Sequence, residues 1–332
     1  MILYFGDVLY ISSPNPYVIS RLWDTVKKDV MKYTADDYSL GFIALLLASA
    51  LWGASYIIIK YLLVYIDPIP QTFVRFLSAS VILVAFTLNR KYNQHISKKT
   101  IIKAFFLSIF GIGFMQLLLV YGMITTKASV SSFLFEASAP PFIILFTLIF
   151  FFEEFRKYPF KKLLIGCSFC IGGLLTLINP INHLDFGIIL ILLASFCWAF
   201  YVIVSKSIMD EINDPILLGT IVFSISSFFL FPIFAYKYDV FSLFRAPIEI
   251  IILLIVSGIL NIAIPHLLLY YGIRKTGTIM TGFIQALIPF FSLIFAYIFL
   301  GETLSVIKVT GGICACVGII VLKKSVLKKS PM

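Results

Sequence analysis

The sequence predicts an all-α membrane protein of ten transmembrane helices, built from two inverted repeats of five helices each. Three observations predict it: the length of the apolar segments, an internal repeat, and the distribution of basic residues. Hydrophobic residues make up 61% of the 332 residues and charged residues only 13%, whereas soluble domains are nearer half apolar and a quarter charged. This composition is typical of a chain that lies in a bilayer.

The apolar residues fall in continuous blocks of about 20 residues, the length that ~30 Å of hydrocarbon requires of a helix. A transmembrane β-barrel would show short alternating segments instead, and only helices satisfy their own backbone groups within such blocks. We therefore expect ten spans, at residues 40–64, 70–88, 102–123, 129–152, 160–178, 186–208, 216–236, 248–272, 277–299 and 304–322.

The two halves of the chain carry the same short motifs in the same order, 146 to 150 residues apart. The matches are Trp52 with Trp198, Lys60 with Lys206, Asp67 with Asp214, Tyr121 with Tyr271, Thr126 with Thr276, Pro140 with Pro289, and Glu153 with Glu302. Since each repeat has an odd number of spans, the second is inverted, an arrangement that transporters use to expose one site to either side in turn. We place repeat 1 at 40–181 and repeat 2 at 182–323, between a cytoplasmic segment (1–39) and a basic cytoplasmic tail (324–332).

The net charge of +10 does not indicate a nucleic-acid partner, because the basic residues concentrate on one side of the predicted membrane. With both termini inside, the cytoplasmic segments hold most of the 26 lysine and arginine residues, and the external loops hold Lys127, Lys237 and Arg245. This asymmetry follows the positive-inside rule. We expect a multi-pass protein of the cell membrane with both termini cytoplasmic and the loop around 182–183 outside.

Few ionisable residues fall inside the spans, and each requires a reason because a charge there costs about 2.5–3.5 kcal/mol. Arg75, Gln116 and Glu136 belong to three different spans and share a depth of roughly 8–10 Å from the outer face, at 1.5 Å per residue. We expect Arg75 and Glu136 to form a pair. The pair would either close the cavity or contact a charged substrate, or it would be a structural bridge between spans 2 and 4.

The repeat predicts a second polar group in the opposite leaflet. Gln116 corresponds to His266 and Glu136 to Gln285, and the second members lie roughly 9–12 Å from the cytoplasmic face. A substrate near the midplane would contact both groups, although hydrogen bonding between helices explains the neutral side chains as well. His266 has an unperturbed pKa of about 6.5, which makes it the candidate for any pH dependence of transport.

Trp52 and Trp198 lie at the centres of spans 1 and 6, away from the interfacial depth where tryptophan usually collects. We expect them to line a central cavity, with plain packing of the bundle as the alternative. Pro140, Pro141 and Pro289 interrupt the backbone hydrogen bonds inside spans 4 and 9. The freed carbonyl groups could bind a ligand, or the breaks could let the halves move.

Charged residues near the span ends are expected to be structural. Lys60 lies near the outer end of span 1 and is long enough to reach the interface. Glu153, Glu154 and Glu302 precede spans 5 and 10, whose positive N-terminal ends favour carboxylates. None of these residues is assigned to the substrate site.

Several of these features occur in an order seen in a known family: Trp52 and Lys60 in span 1, Arg75 in span 2, Tyr121–Gly122 at the end of span 3, Pro140 in span 4, and an acidic turn before span 5. The order resembles the EamA domain of the drug/metabolite transporter superfamily, present twice over about residues 40–323. The acidic turn is well matched in the second copy, at Gly301–Glu302, and degenerate in the first, at Glu153–Glu154. The resemblance implies ten helices around a central cavity and outward movement of small organic metabolites, without naming the substrate.

The expected function is therefore a secondary transporter, most simply an exporter, that works by alternating access around a central cavity. The chain contains no phosphate-binding loop of the Walker type. It also shows no nucleophile–base pair or metal-ligand spacing that would support an intramembrane enzyme, and neither a cofactor nor a metal is expected. An exchanger of phosphorylated metabolites or sugars is the alternative, although it would need more cavity cations than Arg75. The substrate, a coupling ion such as the proton, and a homodimer stay open.

Overall fold

The computed structural model describes residues 35–90, 96–156, 158–161, 163–168, 172, 185–239 and 245–301. By compactness the chain divides into residues 1–39 and 40–332, and the bundle belongs to the second unit. Within the described residues, eight helices are long and apolar enough to cross a membrane, and no strand occurs. The all-α membrane fold is thus confirmed. Span 10 and most of span 5 lie outside the described residues, so the count of ten stays a prediction.

The helices coincide with predicted spans 1–4 and 6–9, and their labels follow the span numbers. They are α1 (Ala35–Leu62), α2 (Pro68–Leu88), α3 (Lys98–Thr125), α4 (Ala128–Phe150), the short α5 (Phe152–Phe155), α6 (Phe186–Ile212), α7 (Pro215–Lys237), α8 (Ile248–Thr276) and α9 (Thr278–Leu300). The short helix α5 lies in the connection between α4 and predicted span 5, and it does not cross the membrane.

Two helices contain a π-helical segment at the same place in each repeat. The segments are Leu107–Phe114 in α3 and Ile259–Ala263 in α8. Each one ends shortly before a predicted site residue, Gln116 or His266, and wider turns of this kind are frequent at functional sites. In α8 the missing N–H of Pro265 favours the wider turn; α3 has no proline there. The hydrophobic pattern predicted neither segment.

The prolines of α4 and α9 behave differently. The backbone of α9 is interrupted at Ala286–Leu287, and Pro289 lies in the first turn of its second part. By contrast α4 remains one helix through Pro140 and Pro141, so no interruption occurs at these two positions. Transmembrane helices tolerate proline where neighbouring helices supply hydrogen bonds.

Helices of one repeat pack largely against helices of the other: α2 against α7 and α8, α3 against α6 and α7, and α4 against α6 and α9. Hydroxyl pairs join corresponding helices, α2 to α7 and α4 to α9; they are Ser80–Ser224 (2.7 Å), Thr87–Thr220 (2.7 Å) and Thr147–Thr278 (2.9 Å). The core of the bundle is therefore the interface between the repeats. The candidate site lies in this core.

Candidate functional site

A cavity of about 50 Å³ lies in the core, between α1, α2, α3, α4, α6 and α8. At roughly 10–15 Å³ for each water molecule, it has room for a few waters and is too small for an organic metabolite. The predicted site residues that line it are Trp52, Arg75, Gln116, Glu136, Trp198 and His266.

Arg75 and Glu136 line the same cavity but do not form the expected ion pair. Nη2 of Arg75 donates to the Ser55 hydroxyl at 2.8 Å, and the Tyr56 hydroxyl donates to Oε1 of Glu136 at 3.2 Å. The prediction of a direct pair is thus wrong for this conformation. Residues at the same depth can lie on helix faces that point in different directions, so equal depth does not ensure that two side chains meet. Ser55 of α1 binds Arg75 and the adjacent Tyr56 binds Glu136, so each charged group is bonded to α1 rather than to the other.

Both charged side chains are almost fully buried, with 1% of Arg75 and 3% of Glu136 exposed. Within the described residues, Nε and Nη1 of Arg75 and Oε2 of Glu136 have no hydrogen-bond partner, and neither does Oδ1 of Asn261. A buried polar atom left in this state costs about 1–3 kcal/mol, and more when it is charged. So many such atoms around one cavity indicate a site for a polar ligand.

His266 lies among aromatic side chains. Its ring centroid is 4.9 Å from Phe223, 5.2 Å from Trp52, 5.7 Å from Tyr201 and 5.8 Å from Trp198. These rings belong to α1, α6 and α7, so they surround the imidazole from three helices.

The hydrogen bond of His266 defines its tautomer. Nδ1 lies 2.7 Å from the carbonyl oxygen of Ile262, and a carbonyl can only accept, so Nδ1 carries a hydrogen. In the neutral imidazole the lone pair is then on Nε2, which has no partner among the described residues. His266, which lines the cavity, therefore keeps one acceptor nitrogen without a partner among the described residues.

Trp52 and Trp198, which correspond in the two repeats, meet edge to face with ring centroids 5.4 Å apart. Nε1 of Trp198 donates to Oε1 of Gln285 at 3.2 Å. Gln285 is fully buried and does not line the cavity, so its role is to orient Trp198. Gln116 and His266 line one cavity together, rather than two separate patches in opposite leaflets.

The sequence reasoning missed Ser55 and Tyr56. They lie three and four residues after Trp52, respectively, and therefore on the same face of α1. That spacing was the available signal in the sequence. Asn261 also lines the cavity, and its Nδ2 donates to the carbonyl oxygen of Leu51 at 2.6 Å. This bond ties the π-helical segment of α8 to α1.

Lys60 has a different role from the expected one. Its ammonium donates to the carbonyl oxygens of Met123 (2.7 Å), Ile124 (3.2 Å) and Thr126 (2.8 Å) at the end of α3. A helix C-terminus favours a cation, so Lys60 caps α3 instead of extending to the interface.

Glu154 caps a helix of the other repeat. Its Oε1 accepts hydrogen bonds from the backbone N–H groups of Thr278 (2.6 Å) and Ile279 (3.2 Å) and from the Thr278 hydroxyl (2.7 Å). The carboxylate therefore stabilises the N-terminus of α9 rather than that of span 5. Its structural role agrees with the expectation, but the helix that it caps is α9 and not predicted span 5. Glu302 lies outside the described residues.

Comparison with known proteins agrees with this architecture. The model of the EamA-like transporter family matches residues 39–179 and again 185–323. The chain is 26% identical over 284 residues to an uncharacterized transporter of Archaeoglobus fulgidus, covering 85% of this chain and 99% of that protein. It is 27% identical over 294 residues to a protein of Salmonella typhimurium named probable amino-acid metabolite efflux pump, covering 84% and 93%.

One solved structure, described only as the crystal structure of a protein, superimposes with a TM-score of 0.65 at 13% identity. The match covers 90% of this chain and 100% of that chain and shows a common fold. Since two copies of the family domain account for most of its length, the chain belongs to the EamA-like transporter family and is a multi-pass membrane transporter.

Proposed function

We propose that this protein is a secondary transporter that exports small zwitterionic metabolites of the amino-acid class, by alternating access around the central cavity. The observation that carries the proposal is a buried guanidinium and a buried carboxylate that line one cavity without neutralising each other. In a membrane bundle such charges are costly and usually mark a substrate path. A ligand with one anionic and one cationic group would give each of these two side chains a partner of opposite charge.

The two ends of an amino acid fit the two charged groups. Nε and Nη1 of Arg75 have no hydrogen-bond partner among the described residues and are charged N–H donors available to a carboxylate. Oε2 of Glu136 is a free acceptor for an ammonium group. Trp52 and Trp198 in the cavity wall supply π faces, which attract a cation in a water-poor site.

The alternative, a phosphorylated metabolite, fits this cavity less well. In the part of the chain that the structure describes, Arg75 is the one lysine or arginine that lines the cavity. Glu136 would repel a phosphate dianion at the same site. The name of the Salmonella typhimurium relative, a probable amino-acid metabolite efflux pump, agrees with the zwitterion and with export.

A small cavity between two inverted repeats is consistent with alternating access, in which the two halves move about a site between them. The cavity must enlarge before an amino acid enters, because its present volume holds only a few waters. The expected driving force is a substrate or ion gradient rather than ATP.

Counterflow in proteoliposomes tests the substrate class. Vesicles loaded with alanine are expected to take up labelled alanine, whereas loading with propionate or ethylamine, which keep one charged group each, should give no exchange. Glucose 6-phosphate is the control for the alternative. Exchange driven by the sugar phosphate without exchange of any amino acid would overturn the zwitterion proposal.

Labelling of introduced cysteines tests the proposed orientation. In a variant without native cysteines, His183→Cys is expected to react with an impermeant maleimide in intact cells, because the basic residues favour cytoplasmic termini. Lys99→Cys, at an exposed position in the first turn of α3, is expected to react only after the membrane is permeabilised. The reverse pattern would contradict the orientation.

A further inference from the structure

The two repeats do not contribute equally to the cavity. On the side of repeat 1, the wall includes Ser55, Arg75 and Glu136. Their counterparts in repeat 2, found at the offsets of the internal repeat, are Tyr201, Val222 and Gln285. The mirror position of the polar half-cavity is therefore occupied by larger or uncharged side chains of the protein itself.

Two tyrosines fill that mirror position. Tyr201 corresponds to Ser55, and Tyr270 corresponds to Val120. Both tyrosines are fully buried, and their hydroxyl groups are hydrogen-bonded to each other. Tyr201 also stacks on Trp198, with ring centroids 5.1 Å apart and planes 16° from parallel. The pair thus joins α6 to α8 directly beside the cavity wall.

A glycine on a further helix makes room for one of the rings. A Cβ atom at Gly111 of α3 would lie 3.2 Å from Cδ2 of Tyr201, which is closer than most such contacts. Gly111 corresponds to Asn261 in the other repeat. The small and large residues are therefore exchanged between the halves: Ser55 with Asn261 on one side, Tyr201 with Gly111 on the other.

The tyrosine pair lies between the cavity and one membrane face. Lys206 follows Tyr201 by five residues, and Arg274 follows Tyr270 by four, which places both basic groups roughly 6–8 Å nearer that face along their helices. On the opposite side Tyr201 contacts Trp198, which lines the cavity. Along α6 and α8, the tyrosines therefore lie between this face and the cavity.

We propose that Tyr201 and Tyr270 are the gate that closes the cavity toward the face with Lys206 and Arg274, the cytoplasmic face in the proposed orientation. The gate opens when the two hydroxyl groups separate and the rings leave the half-cavity that mirrors the site in repeat 1. This inference rests on the proposed alternating access, but not on the identity of the substrate.

The repeat itself supplies the test variant. Tyr201→Ser with Tyr270→Val installs the residues that repeat 1 has at these positions, and Tyr201→Phe removes the hydroxyl while it keeps the ring. A reporter cysteine at Leu119, in the cavity wall, is introduced into a background without native cysteines. Its rate of reaction with an impermeant thiol reagent is measured from each face, in inside-out and right-side-out vesicles.

From the cytoplasmic face, we expect labelling of the reporter to be at least about tenfold faster in the double variant than in the parent. Tyr201→Phe should give an increase of about two- to fivefold, since one hydrogen bond no longer favours the closed form. Tyr297→Phe, at a tyrosine exposed on α9, is the matched control and should leave the rate unchanged. Gel filtration in detergent verifies that each variant is folded.

Equal labelling rates in the parent and in folded Tyr201→Phe and double variants would overturn the gate, because the rings would then be ordinary packing. Faster labelling from the opposite face would also overturn it as a cytoplasmic gate. Faster cytoplasmic labelling in a protein that fails to exchange alanine would support the gate and contradict the zwitterion proposal. The two proposals therefore fail separately.

Discussion

Arg75→Gln and Glu136→Gln are each expected to reduce alanine exchange by at least about 30-fold. Each change removes a charge-assisted contact to the proposed substrate. Without Arg75 the carboxylate of the substrate has no partner, and without Glu136 its ammonium group has none. Losing one partner of a buried charge pair costs about 2–5 kcal/mol, and 1.4 kcal/mol corresponds to tenfold in affinity. The measurement is initial counterflow rate against substrate concentration, normalised to folded protein in the vesicles.

Matched controls come from ion pairs at the surface. Arg245→Gln removes a guanidinium that is 78% exposed and lies 3.1 Å from Asp239, and Glu153→Gln removes a carboxylate that is 85% exposed. Exposed pairs of this kind contribute little to stability, so both variants should transport at nearly the parental rate. A loss of exchange in the controls would indicate a general effect of charge.

The double variant Arg75→Gln with Glu136→Gln separates a binding role from a structural one. If the two residues only stabilise the bundle against each other, removing both should restore folding and transport. We expect no such rescue, because their hydrogen bonds in the structure go to Ser55 and Tyr56 and not to one another. Wild-type exchange in either single variant would contradict their placement in the substrate site.

The depth of each site residue could be predicted from the sequence, because depth depends only on the number of residues between it and the end of its span. Arg75, Gln116 and Glu136 were assigned one outer depth, and the structure brings all three to one cavity. The direction in which a side chain faces also depends on how the helices pack. That information is absent from the spacing, and so the hydrogen bonds from α1 to the two charged groups were not predicted.

The internal repeat predicted which residues would correspond, but not how the repeats would differ. Trp52 and Trp198 are equivalent residues and contact each other. Ser55 and Tyr201 are also equivalent, but the serine leaves space in the cavity whereas the tyrosine fills the corresponding space. A serine and a tyrosine are both common in membrane helices. The effect of exchanging one for the other can be recognised only in the structure, where one half-cavity is empty and the corresponding half is filled.

The tautomer of His266 likewise required the structure. Nδ1 is bonded to the carbonyl oxygen of Ile262, and the spacing of the residues does not indicate which ring nitrogen makes that bond. The π-helical segment that precedes His266 could not be read from the hydrophobic pattern, because one extra residue in a turn changes the pattern very little.

The second expected result concerns the pH profile of exchange, which we expect to depend on His266. The imidazole has one nitrogen held by Ile262 and one without a partner among the described residues, so it can take up a proton without breaking an existing bond. Burial next to the Arg75 guanidinium disfavours the charged imidazole, so the change in the profile is expected toward the acidic end of the range. The titratable or charged groups around it are Arg75 on α2, Glu136 on α4, Tyr201 on α6 and Tyr270 on α8. Of these, Glu136 is the other group able to exchange a proton.

His266→Gln installs the residue that repeat 1 carries at the equivalent position, Gln116. An amide can still donate to the carbonyl oxygen of Ile262, but it cannot bind a proton near neutral pH. Exchange is measured from pH 5.5 to 8 and normalised to the maximum of each variant, so that a change in rate alone does not count. We expect the profile of His266→Gln to be flat where that of the parent changes with pH. If the profile of the variant follows that of the parent, His266 is not the titrating group, and Glu136 or transport without a coupled proton is left as the explanation.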